Sequence, residues 1–216
     1  LAKKRHNSMG KTEMWYVVNA DKGAKLRSGF SEEITPKEYK DRVLNNTITD
    51  VLQEYEVHPG DVFFLPAGRV HSIGAGSFIA EIQQTSDITY RIYDWNRVDD
   101  KGNPRELHTA LAVDAIDFAS EAEECHIRYE EKANQSVKMV DCPYFTTNII
   151  ALEGEKEFDY ASLDSFVLYI CTAGEADVTV GGVTEHITPY ELVMIPAEAD
   201  VVTLHGTATL LEVYIK

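Results

Sequence analysis

The sequence predicts an all-β protein of two jelly-roll barrels, with a short helical insertion in the first barrel and a connecting helix between the two. The apolar residues fall in short runs rich in β-branched and aromatic types, separated by polar turns. One such run ends in the turn Pro66-Ala-Gly68, and His71 follows directly after it. Residues 189–199 repeat residues 59–69 with both prolines aligned, and 216 residues suffice for two domains of common size.

The first elements are aromatic and β-branched strands. Glu13–Ala20 and Lys25–Phe30 are predicted to pair as a hairpin around the turn at residues 21–23. Thr35-Pro36-Lys37-Glu38 combines an N-cap threonine, a proline at the first helical position and a glutamate at the third. It predicts a short helix at about residues 35–46, inserted into the β scaffold.

Three further runs are predicted to complete the first barrel: Val62–Leu65, residues 78–84 and residues 89–95. Residues 109–124 have apolar residues at helical spacing, which predicts the connecting helix. The first domain is therefore predicted to be a barrel at residues 1–125.

The remaining residues, 126–216, predict a second antiparallel barrel with a glycine turn at residues 181–182. Its predicted strands are residues 145–152, 165–171, 176–180, 184–187, 192–195 and 209–215. The repeat at residues 189–199 lacks the glycines and the histidine of the first copy. The second barrel is therefore predicted to be degenerate and without a metal site.

The net charge of −16 is unevenly distributed. Up to Arg105 there are 15 basic and 15 acidic residues, so the whole net charge comes from the 5 basic and 21 acidic residues that follow. An acidic C-terminal half repels nucleic acid and anionic membranes, so neither is a predicted partner. The neutral half contains Lys3, Lys4, Arg5 and Lys11, which could receive a small anion.

The cysteines, the apolar runs and the first residues of the sequence bear on the cellular location of the protein and on where its chain begins. Cys125, Cys142 and Cys171 share no metal-type spacing and are interpreted as reduced thiols of a cytoplasmic protein. No run of about 18 apolar residues is present for a membrane span, and no secretory signal. Because the chain begins at Leu1 without a methionine, we expect its natural N-terminus to lie upstream. The oligomeric state is left open.

The segment from Gly60 to His71 carries the most specific pattern. Gly60, Pro66, Gly68 and His71 follow the spacing of the second signature motif of cupins, which are double-sheet jelly rolls, although the asparagine that many cupins place after the histidine is missing. A lone histidine on a strand is more often structural than a ligand. Here the turn would point His71 into a barrel interior, and Glu13 opens the strand expected to neighbour it.

Three segments, at residues 10–16, 66–74 and 81–95, together resemble type I mannose-6-phosphate isomerases, in their short bacterial form. The resemblance is strong up to about residue 110, and the remainder resembles the second cupin domain of that family. It implies a zinc-dependent aldose–ketose isomerase that interconverts mannose 6-phosphate and fructose 6-phosphate. The implied partner is therefore a small phosphorylated sugar.

The resemblance also implies a ligand set. In such enzymes zinc is bound by a glutamine and a histidine of a Gln-x-His-Pro stretch, by a glutamate that Glu13 matches, and by a second histidine that His71 matches. The Gln-x-His-Pro pair is absent from this sequence, and in the family it lies just upstream of the position matched by Leu1. We therefore expect a truncated chain with two of its ligands, which would bind metal weakly and have little or no activity.

Three residues are candidates for the chemistry on the sugar. Lys11 precedes Glu13 by two positions and on a strand would share its face, so it could bind substrate and act in catalysis. Arg91 lies between apolar residues and needs an anion, either a carboxylate such as Asp87 or Asp94, or the substrate. The resemblance favours an active-site place for Arg91. For Asp87 it allows either proton transfer or the orientation of Arg91.

Two other functions and one other ligand remain as alternatives. A catalytically silent cupin, which binds a sugar phosphate or acts as an assembly module, would explain the missing ligand pair. An iron cupin oxygenase would need a His-x-His motif, and the sequence contains none. His6 could replace a missing ligand, but it lies in a polar, helix-like run.

Overall fold

A computed structural model describes residues 1–119 and 125–215 of the chain. It divides into two compact units, Leu1–His126 and Ile127–Lys216. Both are built mainly from antiparallel strands, which confirms the predicted all-β class. Within the described residues, no helix is long and apolar enough to cross a lipid bilayer.

The first unit contains seven strands and a few short helices among its described residues. Its elements are α1 (Ala2–His6), β1 (Glu13–Ala20), β2 (Lys25–Phe30), α2 (Pro36–Leu44), a 3-10 helix (Ile48–Val51), β3 (Leu52–Glu56), β4 (Val62–Leu65), β5 (His71–Ile73), β6 (Ser77–Gln83), α3 (Thr109–Ala112) and β7 (His126–Ile127), at which the unit ends.

The strands of the first unit form two sheets that pack against each other. One has the order β6-β1-β4-β7 and the other the order β3-β2-β5. Trp15 and Phe63 from the first sheet and Leu26 from the second meet in one buried apolar core. This core, together with the second sheet, fixes where the ends of β1 and β5 lie relative to each other.

Helix α2 confirms the predicted insertion. The Thr35 side chain accepts a hydrogen bond from the backbone N–H of Glu38 at 3.1 Å, and Pro36 occupies the first turn. Tyr39 and Val43 are buried on the inner face of the helix. They belong to an apolar core beside the second sheet, so the insertion covers that part of the unit.

The predicted hairpin between β1 and β2 is wrong. β1 pairs with β4 and β6, and β2 pairs with β3 and β5. The turn closed by the Ala24 N–H, which donates to the Asp21 carbonyl at 2.9 Å, carries the chain from one sheet to the other. A polar turn between two strands has the same sequence signal in a hairpin and at such a corner, so the residues alone could not distinguish them.

The predicted strand at residues 89–95 is also wrong, because this segment has no strand structure. Asp94 is buried, and Arg105 and Arg97 donate to it at 2.5 and 2.6 Å. These guanidinium groups, Arg105 foremost, hold the pKa of Asp94 well below its usual range. Trp95 adopts a φ of 51°, which ends any extended run. The segment is a loop fixed by ion pairs.

The predicted connecting helix is shorter than expected. Only Thr109–Ala112 is helical, residues 113–119 continue without helix, and residues 120–124 lie outside the described part of the chain. The Asp117 N–H donates to the Gly68 carbonyl at 2.9 Å, and the Phe118 ring stacks on a core phenylalanine. The apolar residues that gave the helical spacing thus reach the core from a non-helical backbone.

The second unit is one six-stranded sheet. Its order is β11-β10-β13-β9-β8, and β12 also pairs with β10. The strands are β8 (Ser136–Asp141), β9 (Thr146–Asp159), β10 (Val167–Val180), β11 (Val183–Ile187), β12 (Leu192–Ile195) and β13 (Val201–Tyr214).

Three strands of this sheet are 14 residues long because a glycine lets each bend without ending. Gly154, Gly174 and Gly206 have positive φ values of 77°, 71° and 147°. A Cβ on Gly174 would lie 2.0 Å from a backbone oxygen of β13. The sequence predicted β10 as two strands because a glycine inside a strand gives the same signal as a turn.

A buried polar network lies in the second unit. Glu212 on β13 is 2% exposed and accepts hydrogen bonds from Asn148 at 2.5 Å, from Ser136 and from Tyr160. The Tyr169 and Tyr160 hydroxyls also contact each other. Tyr160 has one hydroxyl hydrogen and donates it to Glu212, so Tyr169 is the donor to Tyr160. Burial is the main cause that raises the pKa of both tyrosines.

The internal repeat is present in the hydrogen bonding of the two units. In the first unit the Gly60 N–H donates to the Val17 carbonyl at 2.8 Å, where β4 meets β1. In the second unit the Tyr190 N–H donates to the Cys171 carbonyl at 2.7 Å, where β12 meets β10. Residue 190 is therefore structurally equivalent to residue 60, as the alignment of the two proline pairs predicts.

Candidate functional site

The two predicted ligand residues meet between the sheets of the first unit. Glu13 is the first residue of β1 and is fully buried, and His71 is the first residue of β5 in the other sheet. The His71 Nε2 atom lies 3.2 Å from Glu13 Oε1. The His71 ring also packs edge-on against Trp15, with ring centroids 5.1 Å apart.

The turn after β4 fixes the position of His71. The Arg69 N–H donates to the Pro66 carbonyl at 3.0 Å, and Gly68 between them has a φ of 103°. The Arg69 side chain donates to the Ser28 hydroxyl on β2 at 2.8 Å, which holds the turn to the second sheet. His71 then enters that sheet opposite Ser28. The sequence pattern of the turn thus becomes a defined direction for the imidazole.

The tautomer of His71 follows from its second hydrogen bond. Its Nδ1 atom lies 2.8 Å from the Arg69 carbonyl oxygen, which can only accept, so Nδ1 carries a hydrogen. In a neutral ring the Nε2 lone pair then faces Glu13 Oε1, and that oxygen accepts no hydrogen bond from the described residues. Two acceptors 3.2 Å apart in a buried site require a cation or a proton between them.

The electrostatics of Glu13 favour its ionised form. Burial by itself would raise its pKa, but a protonated His71 ring, which would place a hydrogen and a charge beside Glu13, and then the Lys11 ammonium lower it to about 2. The carboxylate is therefore charged at neutral pH, as a metal ligand must be.

The spacing of the two donor atoms fits a tetrahedral zinc site. Zinc bonds of about 2.0–2.1 Å separate neighbouring ligand atoms by about 3.3 Å, close to the 3.2 Å between His71 and Glu13. Within residues 1–119 and 125–215, no group of three or more His, Cys, Asp or Glu side chains is placed to bind a metal ion. Glu13 and His71 therefore fit two ligand positions of such a site.

Lys11 is fixed beside this pair. Its Nζ atom lies 3.0 Å from Glu13 Oε2 and 2.9 Å from Glu81 Oε1, which confirms the predicted proximity to Glu13. Burial opposes its charge, but the hydrogen bonds to Glu81 and Glu13 raise the pKa of Lys11 above its ordinary value. The side chain remains 22% exposed, so a charged ammonium borders the Glu13–His71 pair and is open to a ligand.

Sequence reasoning missed Glu81 and Trp15 as members of the site. The Trp15 indole N–H points at both carboxylates, 3.2 Å from Glu13 and 3.1 Å from Glu81. The sequence pattern had assigned a role in the site to neither residue. The available signal was strand alternation, because Glu13, Trp15 and Lys11 are spaced by two residues and Glu81 lies opposite Trp15 on β6.

Arg91 lies in the loop rather than on a strand. Its backbone N–H donates to His108 Nδ1 at 3.0 Å, and its carbonyl accepts from the His108 N–H at 2.7 Å. Its guanidinium donates to the Glu106 carbonyl at 3.2 Å. No carboxylate among the described residues lies within salt-bridge distance of Arg91. The guanidinium is thus held in place while its charge is left without a counterion from these residues.

Two other candidates, Asp87 and His6, do not have the contacts expected for them. Asp87 is exposed and forms no ion pair with Arg91, so the expectation that it orients Arg91 is wrong. Its proposed part in proton transfer is not affected. His6 Nε2 lies 2.6 Å from the Tyr90 hydroxyl, so this ring nitrogen already has a hydrogen-bond partner.

The second unit has no donors at the equivalent positions. Leu65, the last residue of β4 before Pro66, pairs with Glu13. Ile195, the last residue of β12 before Pro196, pairs with Val167. Val167 is therefore the structural equivalent of Glu13. Val201 follows its proline by five residues, as His71 does. Valine carries no ligand atom, so these two positions of the second unit supply no counterpart of Glu13 and His71.

Comparison with known proteins gives a consistent result. Residues 135–215 match the family model described as mannose-6-phosphate isomerase, cupin domain. The chain is 32% identical over 180 residues to mannose-6-phosphate isomerase of Streptococcus mutans, and 30% identical over 187 residues to ManA of Bacillus subtilis. These alignments cover 83% and 86% of this chain but 56% and 58% of the relatives, so the chain spans less than two thirds of their length.

Solved structures agree with the sequence relatives. The crystal structure of mannose 6-phosphate isomerase from B. subtilis matches with a TM-score of 0.87 and 27% identity, over 99% of this chain and 68% of that one. A mannose 6-phosphate isomerase bound with zinc and yttrium matches with a TM-score of 0.71 at 15% identity, over 95% and 66%. The predicted cupin fold is thereby confirmed. This chain is thus similar over most of its length to mannose-6-phosphate isomerases, and its residues 135–215 match the cupin domain of that family.

Proposed function

We propose that this chain is the metal-binding and substrate-binding part of a cytoplasmic aldose–ketose isomerase, which interconverts mannose 6-phosphate and fructose 6-phosphate with zinc. The observation that carries the proposal is the buried Glu13–His71 pair, whose facing acceptor atoms lie at a ligand–ligand distance. The relatives named as mannose-6-phosphate isomerases support the substrate. They do not favour the silent cupin.

The roles follow from the contacts. Glu13 and His71 would bind the zinc ion, which when bound supplies a Lewis acid for the sugar oxygens. Lys11, held by Glu13 and Glu81, presents a fixed positive charge beside them. Arg91 presents a guanidinium without a carboxylate partner, suited to the phosphate or to the negative charge that develops on the sugar as a proton leaves carbon. Asp87 is proposed to assist proton transfer.

Metal binding by the chain itself is the first test. Titration with Co²⁺ as a spectroscopic probe should show binding that Glu13→Gln and His71→Ala each abolish. His58→Ala is the matched control, because His58 is exposed and lies outside the pair. Equal Co²⁺ binding by the control and by both site variants would remove the metal assignment.

Activity is the second test. Two ligands alone should leave the chain weak or inactive, whereas fusion to the Gln-x-His-Pro segment of a relative should give conversion of mannose 6-phosphate, lost with a chelator and restored by zinc. Arg91→Ala in the fusion should lower turnover by about 100- to 1,000-fold, while zinc content stays the same. A fusion that binds zinc stoichiometrically but forms no fructose 6-phosphate would contradict the isomerase proposal.

A further inference from the structure

The edge strand of the second unit exposes large apolar side chains. Leu192 and Met194 on β12 are 53% and 60% exposed, and Tyr190 just before the strand is 63% exposed. The alternating residues Val193 and Ile195 pack against the core instead. Tyr190, Leu192 and Met194 are together called the β12 face. Clustered exposure of this kind on one strand marks an interaction surface more often than scattered apolar residues do.

Tyr190 adopts a backbone conformation that its side chain disfavours. Its φ is 76°, in the left-handed region, where a bulky residue is a rare exception. The first unit places Gly60 at the equivalent position, with a φ of 91°, and so avoids the steric cost. Strained residues persist where the surrounding structure enforces them, and they cluster at functional sites. Here the strain keeps an aromatic ring on the surface beside β12.

The equivalent strand in the first unit is covered. β4 has strand neighbours on both sides, β1 and β7, whereas β12 pairs only with β10 within the described residues. Val62, which corresponds to Leu192, is fully buried, and Phe64, which corresponds to Met194, is partly buried. The repeat therefore shows what covers such an edge in this fold, namely an extended segment of chain.

The charge around the β12 face indicates which kind of molecule could bind to it. Glu185 and Glu191 line the groove beside it, together with His186. No Lys or Arg occurs between Lys156 and Lys216. A surface on which carboxylates predominate repels nucleic acid, anionic lipid and a second copy of itself, and attracts a positively charged partner.

We propose that the β12 face binds an extended segment of a partner protein, with apolar residues at alternate positions and Lys or Arg between them. The segment pairs with the free edge of β12 as an added strand. Its apolar side chains contact Tyr190, Leu192 and Met194, and its basic side chains pair with Glu185 and Glu191. This surface is independent of the isomerase site of the first unit.

The test is a selection on the intact chain. A random twelve-residue peptide library displayed on phage is selected on the wild-type protein and depleted on Leu192→Ser/Met194→Ser. The enriched peptides should alternate apolar and basic residues. One of them, made synthetically, should bind with one-to-one stoichiometry and about tenfold or more weaker to the double variant. Val183→Ser, at another exposed apolar position, is the control and should bind as the wild type does.

Two further measurements examine the geometry. Hydrogen exchange of the β12 amides should slow when the peptide binds, and an unchanged rate would overturn strand addition. Tyr190→Gly should raise the thermal midpoint, since it relieves strain, and yet weaken the peptide. Absence of enrichment over the double variant, or enrichment of peptides without basic residues, overturns the proposal. A wild-type dimer that the double variant dissociates would assign the face to a second copy and overturn it too.

Discussion

Replacement of Tyr160 by phenylalanine should destabilise the second unit by about 2–4.5 kcal/mol. The Tyr160 hydroxyl is the middle of a chain that runs from Tyr169 through Tyr160 to the buried carboxylate of Glu212. Its loss removes a hydrogen bond to a charged group, worth about 1.5–3 kcal/mol, and a neutral one from Tyr169, worth about 0.5–1.5 kcal/mol. The ring and its packing stay, so no cavity contributes.

Tyr169→Phe is the matched control. It removes only the neutral bond at the end of the chain, so its cost should be about 0.5–1.5 kcal/mol. Once Tyr160 is phenylalanine, the Tyr169 hydroxyl is left without that partner, so adding Tyr169→Phe should cost little or recover stability. The two changes are therefore expected to be non-additive.

The assay is urea unfolding followed by circular dichroism, with hydrogen exchange of the β13 amides as a local readout. Both tryptophans, Trp15 and Trp95, lie in the first unit, so tryptophan fluorescence reports that unit separately. The reasoning is refuted if Tyr160→Phe costs less than Tyr169→Phe, or if the two costs simply add.

Other changes test the rest of the structure. Gly174→Ala should cost about 3 kcal/mol or more because its Cβ would meet a backbone oxygen, and Gly182→Ala, with open space around it, about 1 kcal/mol, both measured by urea unfolding. The pKa of Asp94 is lower in the folded state than in the unfolded state. The contribution of Asp94 to the free energy of unfolding is therefore fully present above its ordinary pKa and is lost as the pH falls through its folded-state pKa. Asp94→Asn should thus flatten the acid dependence of stability below about pH 4, and an unchanged slope would contradict this. In the isomerase fusion, His108→Asn places an amide oxygen where Nδ1 accepts from the Arg91 N–H, so turnover should be retained. His108→Gln places its oxygen one bond further out, so turnover should fall. Equal turnover of the two variants would exclude a positioning role for His108.

Local chemistry was readable from the sequence. The bounds of β1 and β2, the helix α2 with its Thr35 cap, and the turn that delivers His71 all follow from propensity, capping and turn residues acting within a few positions. The proximity of Lys11 and Glu13 follows from the two-residue period of a strand. These features depend on neighbours in sequence, so one chain is enough to predict them.

Tertiary structure alone decided which elements meet. The corner between β1 and β2, the loop held by Asp94 and the early end of α3 each depend on contacts with residues far along the chain. The same is true of Glu81, which joins Lys11 only because β6 pairs with β1 in one register. The buried carboxylate of Glu212 likewise needs three other side chains, Ser136, Asn148 and Tyr160, to converge on it. Periodicity fixes the face that a strand buries, but the partner across that face is chosen by the packing of the whole unit.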